Sequence, residues 1–350
     1  MVPSMWNKRM RNLVPAVVRT GLAASVVALA AVSGPAITGA LAGAGQPSPN
    51  QMNLQTPVTE VAVAINSFYN IVNVIIIAIT IFVLMLMIYV MFRFSAKNNP
   101  TPTRTTHNAM LEVAWTVIPI LILIGIAVPS FKLLYLQYSY PKPDVTIKAI
   151  GNAWFWEHEY PDVGVKVTSN MVGDDDLLKA KLGKEEFDKR YGKLEGLTKI
   201  RLMQSDAQPL WAENGGKQVR QLSVDNEIAV PVNKVVHLLI TSNDVIHGWA
   251  IPSFGVRAQA VPGRIVASWF RPTQTGIYYG QCSVLCGEAH SGMPIAVRVV
   301  SDAAYADWIA AAKANDWKKA RGVLQAAADT DTAPAQQFAV GPQAAPPATR

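Results

Sequence analysis

The sequence predicts a membrane-anchored protein of two parts: an all-α transmembrane hairpin of two helices and an all-β sandwich domain. Two uncharged apolar runs, Ile71 to Met91 and Val113 to Phe131, each have about the 20 residues that a helix needs to cross a bilayer. Between residues 144 and 300, short β-rich segments alternate with turns, as in antiparallel sandwiches or barrels. Hydrophobic residues make up 50% of the 350 residues and charged residues 16%, which is typical of membrane segments joined to a water-soluble part.

The N-terminal residues 1–44 are predicted to be a signal peptide. Basic residues between Lys8 and Arg19 are followed by an apolar stretch over 22–41, and small residues at 40–42 offer a cleavage site. A third transmembrane helix is the alternative, but this stretch is weakly hydrophobic and Gly and Pro interrupt it. Residues 45–62 are predicted to be a polar linker.

The transmembrane hairpin is predicted over 63–136. Its connecting loop carries Arg93, Lys97 and Arg104 and no acid before Glu112, so the positive-inside rule places this loop in the cytoplasm. The β-domain then lies on the outer side of a bacterial-type inner membrane. The net charge of +7 does not indicate nucleic-acid binding, because the basic residues are scattered and form no basic–aromatic patch.

The β-domain is predicted over 144–300, with a surface insertion over 168–218. The insertion is charged and partly helical in its period. A helix over 301–320 follows, with Ser301 as its candidate N-cap, and the composition of 321–350 predicts a disordered tail. The predicted strands are the segments DVTIKAIG, AWFWEHEY, KVVHLLITS, VASWFRPT, GIYYGQC and MPIAVRVV.

One window of twelve residues contains two thiols, an imidazole and a thioether: Cys282, Cys286, His290 and Met293. Together with a second imidazole, His247, these soft donors are the set that copper prefers. A disulfide leaves the His and the Met unexplained, and a mononuclear blue-copper site needs only one thiolate. Zinc is satisfied by two Cys and two His and leaves the Met unused. Two available thiolates favour two copper ions that share an electron.

The chain resembles the cytochrome c oxidase subunit II family across nearly all of 60–315. This resemblance implies a cupredoxin-like sandwich that holds a binuclear copper centre called CuA. Cys282 and Cys286 would bridge the two coppers, and His247 and His290 would each bind one of them. The remaining implied ligands are Met293, which binds weakly, and the backbone carbonyl of Val284. The matching segments are LEVAWTVIPILIL, GNAWFWEHEYPD, VDNEIAVPV, NDVIHGWAIPSFGVRAQAVPGR and GIYYGQCSVLCGEAHSGMPI.

The resemblance also implies roles outside the copper ligands. Trp154, the first residue of an aromatic cluster, would be the surface residue that receives the electron from cytochrome c, although strand aromatics often serve only the core. Glu112 would lie at the mouth of a proton-uptake route into subunit I, and Arg264 near the contact with that subunit. Three acids near the Trp would attract a basic cytochrome c: Glu157, Glu159 and Asp162.

Two positions depart from the family pattern. Val284 and Gln259 stand where the family has acids that help to hold a magnesium or manganese ion at the interface with subunit I. A valine cannot bind a hard cation, which needs oxygen donors. That site is therefore predicted to be absent or altered, with Glu288 as a possible substitute ligand.

The predicted function is that of the electron-accepting subunit of an enzyme, a proton-pumping cytochrome c oxidase. Electrons would pass from cytochrome c through two copper ions to haem in subunit I, where oxygen is reduced to water. The expected partners are subunit I, subunit III, cytochrome c and the lipid bilayer, with no nucleic acid. The alternative is a membrane-anchored copper-binding or copper-delivery protein without an electron-transfer role. A quinol-oxidase subunit shares the hairpin and the fold but lacks the copper ligands.

Overall fold

The computed structural model describes residues 45–48, 51–101, 103–213 and 218–330. The predicted signal peptide and the residues after 330 lie outside these ranges. The described residues form two compact units. Phe68–Ile126 make up the first, and the residues before and after this range make up the second.

Two long apolar helices, α1 (Glu60–Arg93) and α2 (Ala109–Tyr138), correspond to the predicted hairpin. Their most apolar windows have mean hydropathies of 3.1 and 2.4 and contain no buried side chain, as expected of helices that face lipid. Helix α1 begins three residues before the predicted start. The hydroxyl of Thr59 accepts a hydrogen bond of 3.0 Å from the Ala62 N–H and so caps the helix. Helix α2 extends two residues beyond the predicted end.

The end of the predicted linker is not a free segment, because residues 58–60 pack against the β-domain. Val58 is fully buried, and its carbonyl accepts a hydrogen bond of 2.9 Å from the Thr273 N–H. The Thr59 hydroxyl donates to the Phe254 carbonyl at 2.8 Å, and Glu60 pairs with Arg271. The prediction of a linker over 45–62 is therefore wrong for these last residues, which anchor the start of α1 to the β-domain.

The β-domain is a sandwich of two five-stranded sheets. The strands are β1 (Val145–Asn152), β2 (Phe155–Tyr160), β3 (Val165–Ser169), β4 (Ile228–Pro231), β5 (Val236–Ser242), β6 (His247–Ile251), β7 (Val256–Ala260), β8 (Val266–Phe270), β9 (Gly276–Cys282) and β10 (Pro294–Val300). One sheet has the strand order β3-β2-β1-β5-β8 and the other β4-β10-β9-β6-β7. The six predicted strands are present, and four short ones join them. β1 pairs with β5 in parallel, as does β4 with β10, so the sheets are mixed rather than purely antiparallel.

The core lies between the two sheets and is rich in aromatic side chains. Burial alternates along β5, whose second face is more open, but every residue of β4 and β10 is buried. Strand β4 packs against the first C-terminal helix and β10 against the second. Fully buried aromatic side chains of this core include Trp156, Trp249, Phe254, Phe270 and Tyr278.

The insertion folds as three helices with a small core of its own: α3 (Asp174–Leu182), α4 (Lys184–Tyr191) and α5 (Gly196–Glu213). The helical prediction is thus confirmed. Asp174, the first residue of α3, connects the beginning of the insertion to its end. Its carboxylate accepts hydrogen bonds from Arg220 and from the Trp211 indole, both at 2.8 Å. Hydrogen bonding to Arg220 is the main reason that the pKa of Asp174 is lowered.

The C-terminal region contains two helices, α6 (Asp302–Lys313) and α7 (Trp317–Thr330), where the sequence predicted one. Ser301 caps α6 as predicted, since its hydroxyl accepts from the Ala304 N–H at 3.3 Å. A turn at Asn315, with φ of 53°, separates the two helices. The prediction of disorder from residue 321 is wrong up to 330, because α7 buries Leu324 against the sandwich core.

Candidate metal centre

The ends of three neighbouring strands bring the predicted copper ligands together. His247 is the first residue of β6, Cys282 is the last residue of β9, and Met293 directly precedes β10. β9 pairs with both β6 and β10, so these ends lie side by side. The turn between β9 and β10 carries the remaining ligands. A set of donors spread over 47 sequence positions therefore meets at one end of the sandwich.

The donor atoms form a continuous cluster in which both cysteines are free thiols. The two sulfur atoms are 3.7 Å apart. The Cys282 Sγ lies 4.0 Å from Nδ1 of His247 and 3.2 Å from the carbonyl oxygen of Val284. The Cys286 Sγ lies 3.4 Å from Nδ1 of His290 and 3.6 Å from Sδ of Met293. Each sulfur thus has one imidazole and one weaker donor beside it.

This arrangement differs from a single tetrahedral site. The ligand atoms of His247, Cys282 and Cys286 all lie within 4.8 Å of one another, and His290 does not belong to that group. Donors of one tetrahedral zinc ion lie about 2.0–2.3 Å from the metal, which keeps them within roughly 4 Å of each other. The residues present fit two ions better, with an imidazole at each end of a two-sulfur centre.

Burial controls the protonation of the Cys286 thiol in the metal-free protein. Cys286 is 8% exposed and Cys282 is 6% exposed. Burial, followed by the proximity of Cys282, raises the pKa of Cys286 to about 12. This thiol is therefore protonated at neutral pH until a metal displaces its proton. The Gly248 N–H lies 3.5 Å from Sγ of Cys282 and can donate to that sulfur.

His247 is held in one orientation by a carboxylate that the sequence analysis did not single out. The imidazole is fully buried, and its Nε2 lies 2.8 Å from Oδ1 of Asp244. Such a carboxylate fixes the ring of a metal-binding His and leaves the other nitrogen for the metal. Burial raises the pKa of Asp244, but hydrogen bonds from His247, Val245 and Ala153 outweigh it, and the net pKa is lowered. The carboxylate is therefore ionised at neutral pH.

Gly151 makes room for the His247 ring. A methyl group added to this glycine would lie 2.7 Å from Cδ2 of His247, closer than a carbon contact allows. We expect Gly151→Ala to displace the imidazole, destabilise the domain by about 1–3 kcal/mol and lower copper affinity by roughly 10–100-fold. Copper titration and thermal unfolding measure these two effects. Gly322→Ala in α7 is the matched control, because nothing lies within 4 Å of the added methyl group and it is expected to be stabilising. Unchanged copper affinity in Gly151→Ala would contradict this role of the glycine.

Trp154 lies at the surface next to the cluster. Its side chain is 37% exposed, and its indole N–H donates to the carbonyl of Cys286 at 3.2 Å. Gly287 packs on the same ring, where an added methyl group would lie 3.1 Å from the indole. The indole thus connects solvent to the backbone of a candidate copper ligand.

The acids predicted to attract a basic partner are largely compensated. Lys166 lies 2.7 Å from Glu157, and Lys148 lies 3.2 Å from Glu159. The carboxylate of Asp162 accepts from the Thr146 N–H at 3.1 Å. Because two of the three acids are paired with lysines, their attraction for a basic partner is weaker than the sequence alone indicates.

The two positions that depart from the family pattern lie close to each other. Gln259 is the register partner of Gly248 across β6 and β7. A methyl group added to Gly248 would lie 2.9 Å from Cγ2 of Val284. Arg257 donates to the Ser283 carbonyl at 3.3 Å. This neighbourhood has a cation and an aliphatic group where a hard metal ion would need oxygen donors.

Glu288, the predicted substitute ligand, is exposed in the turn after Cys286. Its side chain makes no hydrogen bond to another of the described residues.

Two of the predicted functional residues lie outside the cluster. Glu112 is in the first turn of α2, in the unit formed by the apolar helices. Arg264 is exposed between β7 and β8 and lines a cavity of about 320 Å³ together with Arg257, Gln259 and Tyr140. Neither contributes a donor to the copper cluster.

Comparison with known proteins places most of the described chain in one family. Sequence models of the cytochrome c oxidase subunit II transmembrane domain and periplasmic domain match residues 47–133 and 145–300. The chain belongs to the cytochrome c oxidase subunit II family. Cytochrome c oxidase subunit 2 of Cereibacter sphaeroides is 38% identical over 279 residues, which cover 78% of this chain and 84% of the relative. The probable subunit 2 of Rickettsia conorii is 41% identical over 268 residues, 76% of this chain and 73% of the relative.

Among solved structures, the periplasmic domain of subunit II of cytochrome oxidase from Bradyrhizobium japonicum is 39% identical. The match covers 51% of this chain and 99% of the Bradyrhizobium japonicum domain, with a TM-score of 0.38. The family membership and the sandwich fold predicted from the sequence are both confirmed. This subunit II chain is accordingly a membrane protein and part of an oxidase enzyme, with the family's transmembrane domain and periplasmic domain.

Proposed function

We propose that this subunit II chain accepts electrons from cytochrome c at a binuclear CuA centre on the periplasmic side and passes them to haem in subunit I. There, oxygen would be reduced to water with coupled proton pumping. His247, Cys282, Cys286, His290, Met293 and the Val284 carbonyl would hold the two coppers. The metal pair supplies one-electron redox chemistry. The β-sandwich fixes the donors and buries both cysteines.

One observation carries the proposal: two unpaired, buried sulfur atoms 3.7 Å apart, each with its own imidazole. Two thiolates shared between two ions explain why the imidazoles lie at opposite ends of the cluster. A rigid sheet-end scaffold also keeps the donors in place when the charge of the centre changes. A pair of cysteines that served only as a disulfide would leave His290 and Met293 without a role.

Electron paramagnetic resonance of the copper-loaded chain tests the proposal. An unpaired electron shared by two equivalent coppers gives a seven-line hyperfine pattern, whereas a mononuclear copper gives four lines. We expect two coppers per chain and seven lines. A four-line signal with one copper per chain would exclude the binuclear centre.

Trp154 favours electron transfer over the alternative of copper delivery. A delivery protein needs exposed ligands that can hand the metal on, but His247 is fully buried and both thiols are nearly so. It also gains nothing from an exposed indole hydrogen-bonded to a ligand's backbone. Two measurements separate the two functions: whether the chain retains its bound copper, and whether cytochrome c reduces that copper rapidly.

The magnesium or manganese site of the family is proposed to be absent from this chain. Val284 and Gln259 offer no carboxylate, and Arg257 adds a positive charge next to them. We expect metal analysis of the purified oxidase to find no stoichiometric magnesium or manganese at this interface. The double variant Val284→Glu, Gln259→Asp is expected to gain one bound Mn²⁺ per oxidase, and Val284→Gln, Gln259→Asn serves as the uncharged control. A bound Mn²⁺ in the unaltered oxidase would overturn this expectation and point to Glu288.

Glu112 is proposed to stand at the cytoplasmic mouth of the proton-uptake route into subunit I. An ionisable side chain in the first turn of an apolar helix is costly and is commonly functional. The three basic residues of the preceding loop support a cytoplasmic position for it and an outer position for the copper domain. Subunit III and the lipid bilayer complete the proposed partners.

A further inference from the structure

Trp156 connects the ligand cluster to the opposite sheet of the sandwich. It is fully buried in β2, whereas the ligand-bearing strands β6, β9 and β10 belong to the other sheet. Its indole N–H donates to the backbone carbonyl of Met293 at 3.1 Å. Its ring also meets the His247 ring edge-on, with centroids 5.9 Å apart at 64°. One side chain thus touches two candidate ligands that lie 46 positions apart in the sequence.

A second buried bond fixes the strand that carries Trp156. Two residues along β2, Nε2 of His158 accepts a hydrogen bond of 3.2 Å from the Trp249 indole. Burial keeps His158 neutral by lowering its pKa to about 3, so this nitrogen remains an acceptor. Trp249 lies two residues after His247 on β6. This bond therefore ties β2 to the ligand-bearing strand β6 two residues away from Trp156.

Met293 depends on such an anchor more than the other donors do. A methionine side chain has three flexible bonds and adapts its position easily. Its sulfur lies 3.6 Å from Sγ of Cys286, and its backbone follows the tight turn His290–Gly292. In copper sites, the strength of a weak thioether ligand tunes the reduction potential. A contact that fixes the Met293 backbone therefore influences the reduction potential of the copper centre.

We propose that Trp156 is a positioning residue that sets the thioether contact of Met293, and thereby the reduction potential of the copper centre. This inference rests on the proposed binuclear site. Trp156 acts through the Met293 backbone and the edge-on contact with the His247 ring, and it contributes no ligand atom.

The test uses the purified oxidase with variant chains and follows the copper signal during a redox titration. Trp156→Phe keeps an aromatic ring and removes the N–H donor. We expect it to retain both coppers and a seven-line signal, with altered hyperfine splitting. The reduction potential should shift in the same direction as in Met293→Leu. The equilibrium constant for electron exchange should change by roughly fivefold, the size of one lost hydrogen bond.

A double-mutant cycle identifies the route of the effect. If Trp156 acts through the thioether, Trp156→Phe adds little to the potential shift of Met293→Leu, and the two effects are not additive. Trp308→Phe is the matched control, because Trp308 is equally buried in α6 and packs on Tyr160 and Tyr305 away from the cluster. An unaltered potential in Trp156→Phe, an equal shift in Trp308→Phe, or additive shifts in the double variant would each overturn the inference.

The remaining outcomes are also decisive. If the Phe variant does not assemble, Trp156→Tyr, whose side chain is larger than that of Phe by one hydroxyl and lacks the indole N–H, replaces it in the same titration. Failure of both variants to assemble would make Trp156 a folding residue and overturn the positioning role. A missing seven-line signal in the unaltered oxidase removes the proposed function itself. A normal signal with an unshifted Trp156 variant removes only this inference.

Discussion

Replacing Cys286 by serine is expected to abolish the binuclear copper centre. Its sulfur lies within 3.7 Å of a donor atom of each of three other candidate ligands, Cys282, His290 and Met293. A hydroxyl is a hard, weakly acidic donor and cannot replace a bridging thiolate. Loss of even an outer partner of a metal ligand costs about 10–100-fold in affinity or activity, so loss of a bridge should cost more than about a hundredfold.

Copper content, the hyperfine pattern and the rate of cytochrome c oxidation measure this effect in the purified oxidase. We expect fewer than two coppers per chain, no seven-line signal and a collapse of turnover. Leu285→Ser is the matched control, because it places the same residue at the neighbouring position, whose side chain is 80% exposed. It should keep both coppers. Full copper content and normal turnover in Cys286→Ser would show that the site is built differently.

Replacing Trp154 by alanine is expected to slow reduction of the copper centre by cytochrome c without removing copper. The indole provides both the exposed contact surface and the hydrogen bond to the Cys286 carbonyl. Aromatic residues at the centre of an interface commonly contribute about 2 kcal/mol or more, which corresponds to roughly a thirtyfold slower reaction. The seven-line signal should remain, since Trp154 donates no ligand atom.

Stopped-flow reduction by cytochrome c at several ionic strengths measures this prediction. Trp317→Ala in α7 is the control, because that tryptophan is partly exposed and lies outside the metal centre. We expect only a moderate dependence on salt, since two of the nearby acids are already paired with lysines. If Trp154→Ala reacts with cytochrome c as fast as the unaltered chain, electrons enter elsewhere.

The order of the segments could be predicted from sequence because each depends on local patterns. The apolar runs of α1 and α2 each have about the length that a helix needs to cross a bilayer core, and alternating β-rich segments marked six of the ten strands in the described residues. The short strands β3, β4, β6 and β7 were missed because four or five residues carry too little periodicity. The second C-terminal helix was missed because Leu324 and its neighbours are stabilised by packing on the sandwich rather than by composition.

The sequence by itself determined the chemistry of the candidate centre. Cys282, Cys286, His290 and Met293 are close in the chain, and their donor types alone indicate copper. Only the tertiary structure decided how the donors are divided and supported. Asp244 holds His247 from three positions earlier in the chain, whereas Gly151 and Trp156 reach His247 or Met293 because β-sheet pairing and sheet-on-sheet packing place distant strand ends together. A donor set can be recognised from residue types, but its orientation depends on contacts between residues that only the fold brings together.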